Sequence, residues 1–489
     1  MSAQTRPTPR AGTTDRRALL DRIREDFVGL DTEYALADGL RKRRRYLDSA
    51  ATTLVMQVTL DCARAFLRHC ANTHSTTHFS AAIAGEAYAW AHDRVLRFLG
   101  APPRDYAAVF TGSGATAALN RVAEVLAAAQ PDRPMALVSL MEHHANDLPH
   151  RRHASVLHVP LTACDDGPGP VDLDALEAML RENAGRVRYV AVTAASNVTG
   201  LLNPLAPIAR LAHAHGARVV VDGAQIAAHR AVSLADDDID AFVFSGHKAY
   251  APGSPGVLVI KRELLDGVPP GLVGGGIVEH VSTEGFELTP HLPDREEAGT
   301  PNVVGAVLLA SALEVLAEIG MDSIAEAEDA LVEYALDRLA TVPGLRIYGT
   351  RTAPRSGVVA FNLSGIEHAV TAQALNDAHN IAVRNGCFCA HPYVRHLLLP
   401  ELWALDADGD EDLEAQVMRR RGMVRASFGL YSTPADVDAL VDALVDIGAD
   451  EGAYRRRLEA TSDERGAPLP QRRVQFSAPE YLGWRLREM

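Results

Sequence analysis

Cysteine is scarce in this chain: there are five among 489 residues, too few and too scattered to make a disulfide framework. Long apolar runs are missing too, and nothing approaches the roughly 18–20 residues needed to cross a bilayer. Positive charge is in deficit. Lys and Arg number 48 against 63 Asp and Glu, for a formal net charge of −15. So acidic a chain suits neither nucleic acid nor an anionic membrane surface. The N-terminal stretch MSAQTRPTPRAGTTDRR is basic, but it has no apolar segment of the kind a secretory signal requires. Internal repeats and low-complexity tracts of consequence are absent. What is present is a hydrophobic content of 47%, as in a packed globular protein. The expectation is a reduced, cytoplasmic protein with no nucleic-acid or membrane partner. Its length exceeds one ordinary core and implies two domains with extensions.

Residues 1–15 are polar and read as a mobile tail. Residues 16–45 read as helical, with the basic run Arg41-Lys42-Arg43-Arg44-Arg45 as a solvated helix end. From about residue 105 to 262, short β-rich runs alternate with Ala- and Leu-rich helical stretches. The runs are YAAVF, PMALVSL, VRYVAVT, ARVVVD, DAFVF and GVLVI. Between them, segments such as TAALNRVAEVLAAA show helical spacing of apolar residues. This alternation predicts an α/β fold with a mainly parallel sheet and helices on both faces. Residues 306–320 read as a long helix leaving that domain, and residues 321–447 carry mixed signals again. The expected division is an N-terminal extension (1–45), a large domain (46–305), a smaller C-terminal α/β domain (306–450) and a tail (451–489).

Open α/β sheets bind ligands outside the carboxyl ends of their strands. Five predicted strands here run straight into chemically capable residues. They end in Thr111-Gly112-Ser113-Gly114-Ala115-Thr116, in Glu142-His143-His144-Ala145-Asn146, in Ser196-Asn197, in Asp222-Gly223-Ala224-Gln225, and in Ser245-Gly246-His247-Lys248. Each has a plain reading beside a functional one. The Gly-Ser-Gly turn offers backbone N–H groups to an anion, yet many strand–helix turns use these residues, and it lacks the lysine of a P-loop. Asp222 serves equally as a helix cap or as a carboxylate that keeps a pyridinium nitrogen protonated. His143 is either a capping or core histidine, or a ring that stacks on another ring. Lysine is rarely buried without a partner, and a desolvated Lys248 would have the lowered pKa of a Schiff-base nucleophile. Together they suit a phosphorylated pyridine aldehyde.

The segments VVVDGAQIAAHRAVSL and DAFVFSGHKAYAPGSPGVLVI resemble the core of the class V aminotransferase family of fold-type I pyridoxal 5'-phosphate (PLP) enzymes. The chain is most similar to the cysteine desulfurase and selenocysteine lyase branch, from about Tyr46 to Val445. The resemblance implies a large domain with a mainly parallel seven-stranded sheet and a smaller C-terminal domain. It implies that Lys248 bonds the cofactor, Asp222 pairs with the ring nitrogen, Gln225 contacts the ring hydroxyl oxygen and His143 stacks on the ring. Asn197 would lie near the ring and substrate. Ala115, Thr116, Ser245 and His247 would hold the phosphate, and Thr300 of a neighbouring subunit would reach it in a homodimer. Arg425 would bind the substrate carboxylate, with His78 as a further active-site histidine. Cys389, in Arg384-Asn385-Gly386-Cys387-Phe388-Cys389-Ala390-His391-Pro392, occupies the place of the sulfur-accepting nucleophile. Nearby Arg384 and His391 would lower its thiol pKa.

Cys-x-Cys-x-His also invites a metal reading, but a structural zinc site wants four ligands and no complementary cysteine pair exists. The expectation is no metal. The 36 positions from Cys389 to Arg425 exceed what the resemblance implies. The extra segment, within 393–420, includes Ala407-Asp408-Gly409-Asp410-Glu411-Asp412, which departs from a calcium loop because Glu411 stands where glycine is required, and it reads as an exposed acidic loop. The resulting expectation is a cysteine desulfurase that converts L-cysteine to alanine and leaves a persulfide on Cys389 for a sulfur-acceptor protein. Rival readings are another class V reaction, as a C–S lyase, epimerase or aminotransferase, or a non-catalytic sulfur carrier or scaffold.

Overall fold

The computed structural model describes residues 13–36, 39–403 and 420–450, with a few isolated positions beyond. Residues 1–12, the acidic segment 407–412 and nearly all of the tail 451–489 lie outside the described residues.

Seven strands form the central sheet: β1 (Tyr106–Thr111), β2 (Met135–Ser139), β3 (Ser155–Val159), β4 (Val187–Thr193), β5 (Arg218–Asp222), β6 (Ala241–Ser245) and β7 (Gly256–Lys261). Their spatial order is β1-β7-β6-β5-β4-β2-β3. Only β7 runs antiparallel to its neighbours. Apart from the edge strand β3, which is half-exposed, the strands are almost entirely buried because both faces are covered, which is why they read as continuous apolar runs. Alternate residues feed two cores. Val109, Val138, Ala191, Val220 and Val243 pack under the helix Gly114–Ala129. Phe110, Leu137, Val192, Val221 and Phe244 join the larger core on the other face, which includes the helix Val303–Ile319. The parallel strands β1, β2, β4, β5 and β6 therefore present their carboxyl ends along one edge.

Two glycines let the turn after β1 sit close to β6 and β7. Gly114 has φ of +57°, and a Cβ there would stand 2.9 Å from Ser245 Oγ. A Cβ on Gly256 would stand 2.1 Å from the Gly114 carbonyl oxygen. Any larger residue would push the helix start away from the sheet edge.

A second sheet is wholly antiparallel: β8 (Leu345–Ile347), β9 (Val358–Leu363), β10 (Arg384–Gly386) and β11 (Met423–Ser427), in the order β8-β9-β11-β10. It packs with the helices Met321–Leu339, His368–His379 and Pro434–Ala449 around a separate core. The short strand Arg45–Tyr46 pairs with Ile381–Ala382, and Asp48 bridges to Ser427. These pairings bring the early Tyr46–Ala51 segment beside β11.

The N-terminal reading needs correction. Only Thr13–Glu25 is helical; Glu33–Ala35 and Arg41–Arg43 form an antiparallel hairpin. The arginines find partners that a helix would not leave free. Arg43 Nε donates to Leu30 O at 2.5 Å and Arg44 Nη2 to Gly29 O at 2.8 Å, while Arg41 pairs diagonally across the ladder with Glu33 at 3.5 Å. The run is exposed as expected, but it is a strand and not a helix end.

Candidate active site

The carboxyl ends of the five parallel strands surround a cavity of about 410 Å³. Ala115, Thr116, His143, Asn197, Asp222, Gln225, Ser245, His247, Lys248, Cys389 and Arg425 all border it, with Arg384 and Phe388. Residues from both sheets thus converge on one hollow.

Asp222 ends β5 and is buried. Its Oδ1 accepts the Ala224 N–H at 2.9 Å, and its other oxygen has no hydrogen-bond partner among the described residues. Burial raises its pKa. Lys248 follows β6 in a single 3-10 turn, and its amine has no hydrogen-bond partner among the described residues. Burial and, to a smaller degree, Arg425 lower its pKa to about 8, against the pull of Asp222. His143 lies over the cavity with Nδ1 accepting the Ala145 N–H at 3.0 Å. Burial and Lys248 bring its pKa down to about 4, so its ring is neutral.

At the start of the helix Gly114–Ala129, Ser113 makes no side-chain cap. The Ala115 N–H donates to Ser245 Oγ at 2.7 Å, which ties this anion-attracting end to β6. His247 Nδ1 lies 3.3 Å from Thr52 Oγ1. Gln225 donates Nε2 to Ala50 O at 2.8 Å.

Arg425 lies on β11 and is buried. Its Nη1 donates to Asn197 O at 2.8 Å and its Nη2 pairs with Asp48 Oδ1 at 3.1 Å, while Nε is buried without a partner among the described residues. Its guanidinium also stands 4.9 Å from the centre of the Phe388 ring. Arg384 is directly opposite on β10. Like charges facing each other across strands are unfavourable unless an anion joins them. The pair therefore suits a carboxylate ligand.

The loop between β10 and the helix His391–Trp403 is tightly shaped. Phe388 and Cys389 have φ of 52° and 54°, in the left-handed region that non-glycine residues rarely adopt. Asn197 Nδ2 donates to Phe388 O at 2.8 Å and the His144 N–H to Cys389 O at 2.7 Å. Cys389 is exposed at the cavity, whereas Cys387 is half-buried with its thiol donating to Arg421 O at 3.0 Å. Burial pushes the Cys387 thiol pKa up.

Two expected site residues stand apart from this cavity. His78 is exposed and caps the helix Phe79–Phe98, with Nδ1 accepting the Ala81 N–H at 3.2 Å. Thr300 is exposed on another face, where Asn72 donates to it at 3.4 Å. Conversely, sequence reasoning gave no role to Asp48, Glu142, His144 or Phe388, although all lie in segments it singled out. Buried Glu142 receives hydrogen bonds from Ser139, from Asn146 Nδ2 at 2.7 Å and from the Thr193 N–H at 2.7 Å. Among the described residues, no group of three or more His, Cys, Asp or Glu gathers as metal ligands would, and no single helix is long and apolar enough to cross a membrane.

These residues fit PLP on the structure's own terms. Among the described residues, a carboxylate with a free oxygen, an unpartnered amine, a neutral ring and a helix start that Ser113 leaves uncapped border one hollow, as a pyridinium, an aldehyde and a phosphate would require.

Comparison with known proteins gives the same direction. The family model described as Aminotransferase class-V matches residues 45–440. A cysteine desulfurase of Dickeya dadantii (strain 3937) is 38% identical over 430 residues, covering 86% of this chain and 95% of its own. One from Escherichia coli (strain SE11) is 36% identical over 425 residues, covering 86% and 96%. Among solved structures, the apo cysteine desulfurase of Thermococcus onnurineus NA1 superposes with a TM-score of 0.74 at 28% identity, covering 88% of this chain and 98% of that one. A cysteine desulfurase of Escherichia coli has a TM-score of 0.70 at 33% identity, with the same coverage.

Proposed function

Because the chain belongs to the class V aminotransferase family, we propose that it is a PLP-dependent cysteine desulfurase that takes sulfur from L-cysteine and releases alanine. The observation that carries this reading is that Lys248, Asp222, Arg425 and the exposed Cys389 border one cavity.

Lys248 would hold the cofactor through its aldehyde. Asp222 would keep a proton on the pyridine nitrogen, His143 would stack on the ring and Gln225 would face the ring oxygen. Ala115, Thr116, Ser245 and His247 would receive the phosphate. Bound PLP supplies a protonated, conjugated ring that draws electrons from the substrate's α-carbon.

The remaining work falls to the protein. Arg425, which borders the cavity and pairs with Asp48, takes the α-carboxylate through its guanidinium. Lys248, with its pKa near 8, removes and returns the proton at the α-carbon. The Cys389 thiolate attacks the sulfur of L-cysteine. The carbon–sulfur bond breaks, a new sulfur–sulfur bond leaves a persulfide on Cys389, and protonation of the remaining carbon skeleton gives alanine. Exposure of Cys389 lets an acceptor thiol collect the sulfur.

Mass spectrometry after treatment with L-cysteine tests this reading. One added sulfur on the Cys389 peptide, with alanine released in equal amount, is expected. Turnover of L-cysteine with no sulfur on Cys389, undiminished in Cys389→Ala, would leave a lyase or other class V reaction in its place.

A further inference from the structure

Cys389 lies on a strained turn, and three hydrogen bonds fasten that turn to the large domain. One comes from Asn197 to Phe388 O. The other two converge on one residue, His144. Its backbone N–H donates to Cys389 O at 2.7 Å, and its ring Nε2 accepts the His391 N–H at 3.2 Å. The His144 and His391 rings meet edge to face with centroids 4.7 Å apart. His391 opens the helix His391–Trp403, so its N–H is one of the first-turn donors that a helix leaves unsatisfied. His144 supplies the missing acceptor from another part of the chain. It also directly follows His143, the ring that borders the cofactor cavity.

We propose that His144 is a positioning residue for sulfur transfer: its backbone N–H and ring Nε2 together latch the Cys389 turn to the segment that carries His143. This rests on the reading of Cys389 as the sulfur acceptor. The ring acts as an acceptor and so must be neutral with its proton on Nδ1. Losing the ring bond leaves the backbone bond intact and the cofactor residues in place. The turn would keep its fold but no longer hold the thiol at attack distance from the substrate sulfur. Misplacement by about 1 Å costs on the order of 10²-fold in rate.

The test compares wild type, His144→Leu and His144→Gln as holoenzymes. Two readouts are taken: the absorbance change of bound PLP on mixing with L-cysteine, and the rate at which sulfur appears on Cys389 in a single turnover. His144→Leu should show the absorbance change at the wild-type L-cysteine concentration, while its sulfur transfer slows by about 10- to 100-fold. His144→Gln, which restores an acceptor oxygen, should recover most of that loss. Wild-type sulfur transfer in His144→Leu would overturn the latch. So would a His144→Leu protein that loses both readouts together, or a His144→Gln defect as large as that of His144→Leu. Absence of sulfur on Cys389 in the wild type is a different result and would overturn the desulfurase reading itself.

Discussion

Asp222 is buried at a strand end and Lys248 is half-buried in the turn after one, and their protonation is pulled in opposite directions from ordinary values. Burial favours the neutral amine and the neutral acid, while each favours the other's charge. Replacing Lys248 by Ala should leave the fold intact, since its amine has no hydrogen-bond partner among the described residues, and should lower turnover by at least about 10²-fold. Borohydride reduction of the wild type should place the cofactor on the Lys248 peptide, and label on a different lysine would contradict the assignment. Glu142 makes a separate prediction. Burial raises its pKa to about 8, and its three hydrogen bonds offset this only in part. The folded state therefore binds a proton that the unfolded chain releases from about pH 4.5 upward. Its contribution to stability is full below that point and declines as pH rises towards 8. The slope due to one proton is at most about 1.4 kcal/mol per pH unit. In Glu142→Gln this part of the decline should vanish, at the cost of a weaker contact with Asn146. Denaturant titrations at pH 5, 6, 7 and 8 measure it, and parallel pH dependences in the two proteins would refute the assignment.

Among the elements, the parallel strands were the most legible part of the sequence. β1, β2, β4, β5 and β6 are short apolar runs because the sheet is covered on both faces, and each ends in polar residues because those ends meet at the cavity; the half-exposed edge strand β3 carried no such signal. The hairpin at 33–43 was not legible. Its arginines carry no alternation, and their partners are carbonyl groups that only the folded turn exposes. The pairing of Asp48 with Arg425 was equally hidden, because 377 positions separate the two. The cysteine loop stands between these cases. Its residues could be picked out, but the left-handed backbone at Phe388 and Cys389 could not. The structure now separates its two thiols. Cys387 donates to Arg421 O and is half-buried; Cys389 is exposed at the cavity. Cys389→Ala should retain the PLP spectrum and lose nearly all alanine release. Cys387→Ser, whose hydroxyl can keep the bond to Arg421 O, should retain activity within about threefold, since it exchanges one hydrogen bond of about 1 kcal/mol for another. Parallel assays of alanine and of protein-bound sulfur decide it, and equal loss in both variants would mean that the two thiols share the sulfur.

At the scale of the whole molecule, one face remains to be covered. Phe79 is 91% exposed, Leu272 is exposed at a second hollow with exposed Val273 next to it in the chain, and Val281 and Phe286 are exposed on a hairpin. Thr300 borders that hollow and not the cofactor cavity. An apolar face of this kind argues for a partner, and a two-fold dimer would use the same surface on both copies. The class V reading predicts that Thr300 then completes the neighbour's phosphate site. Mixing two impaired variants distinguishes this from a role within one chain. Lys248→Ala damages only its own site, whereas Thr300→Asp places a negative charge at the site of its neighbour. In a mixed dimer, one site then receives both defects and the other receives neither. Random reassociation of equal amounts makes half the dimers mixed, so activity should return to about a quarter of the wild-type value per site. If Thr300 acted within its own chain, every site in the mixed dimer would keep one defect and no activity would return. Light scattering should report a dimer for the wild type and both variants at micromolar concentration. An active monomer, or mixtures that stay as inactive as their parents, would remove Thr300 from the neighbouring site.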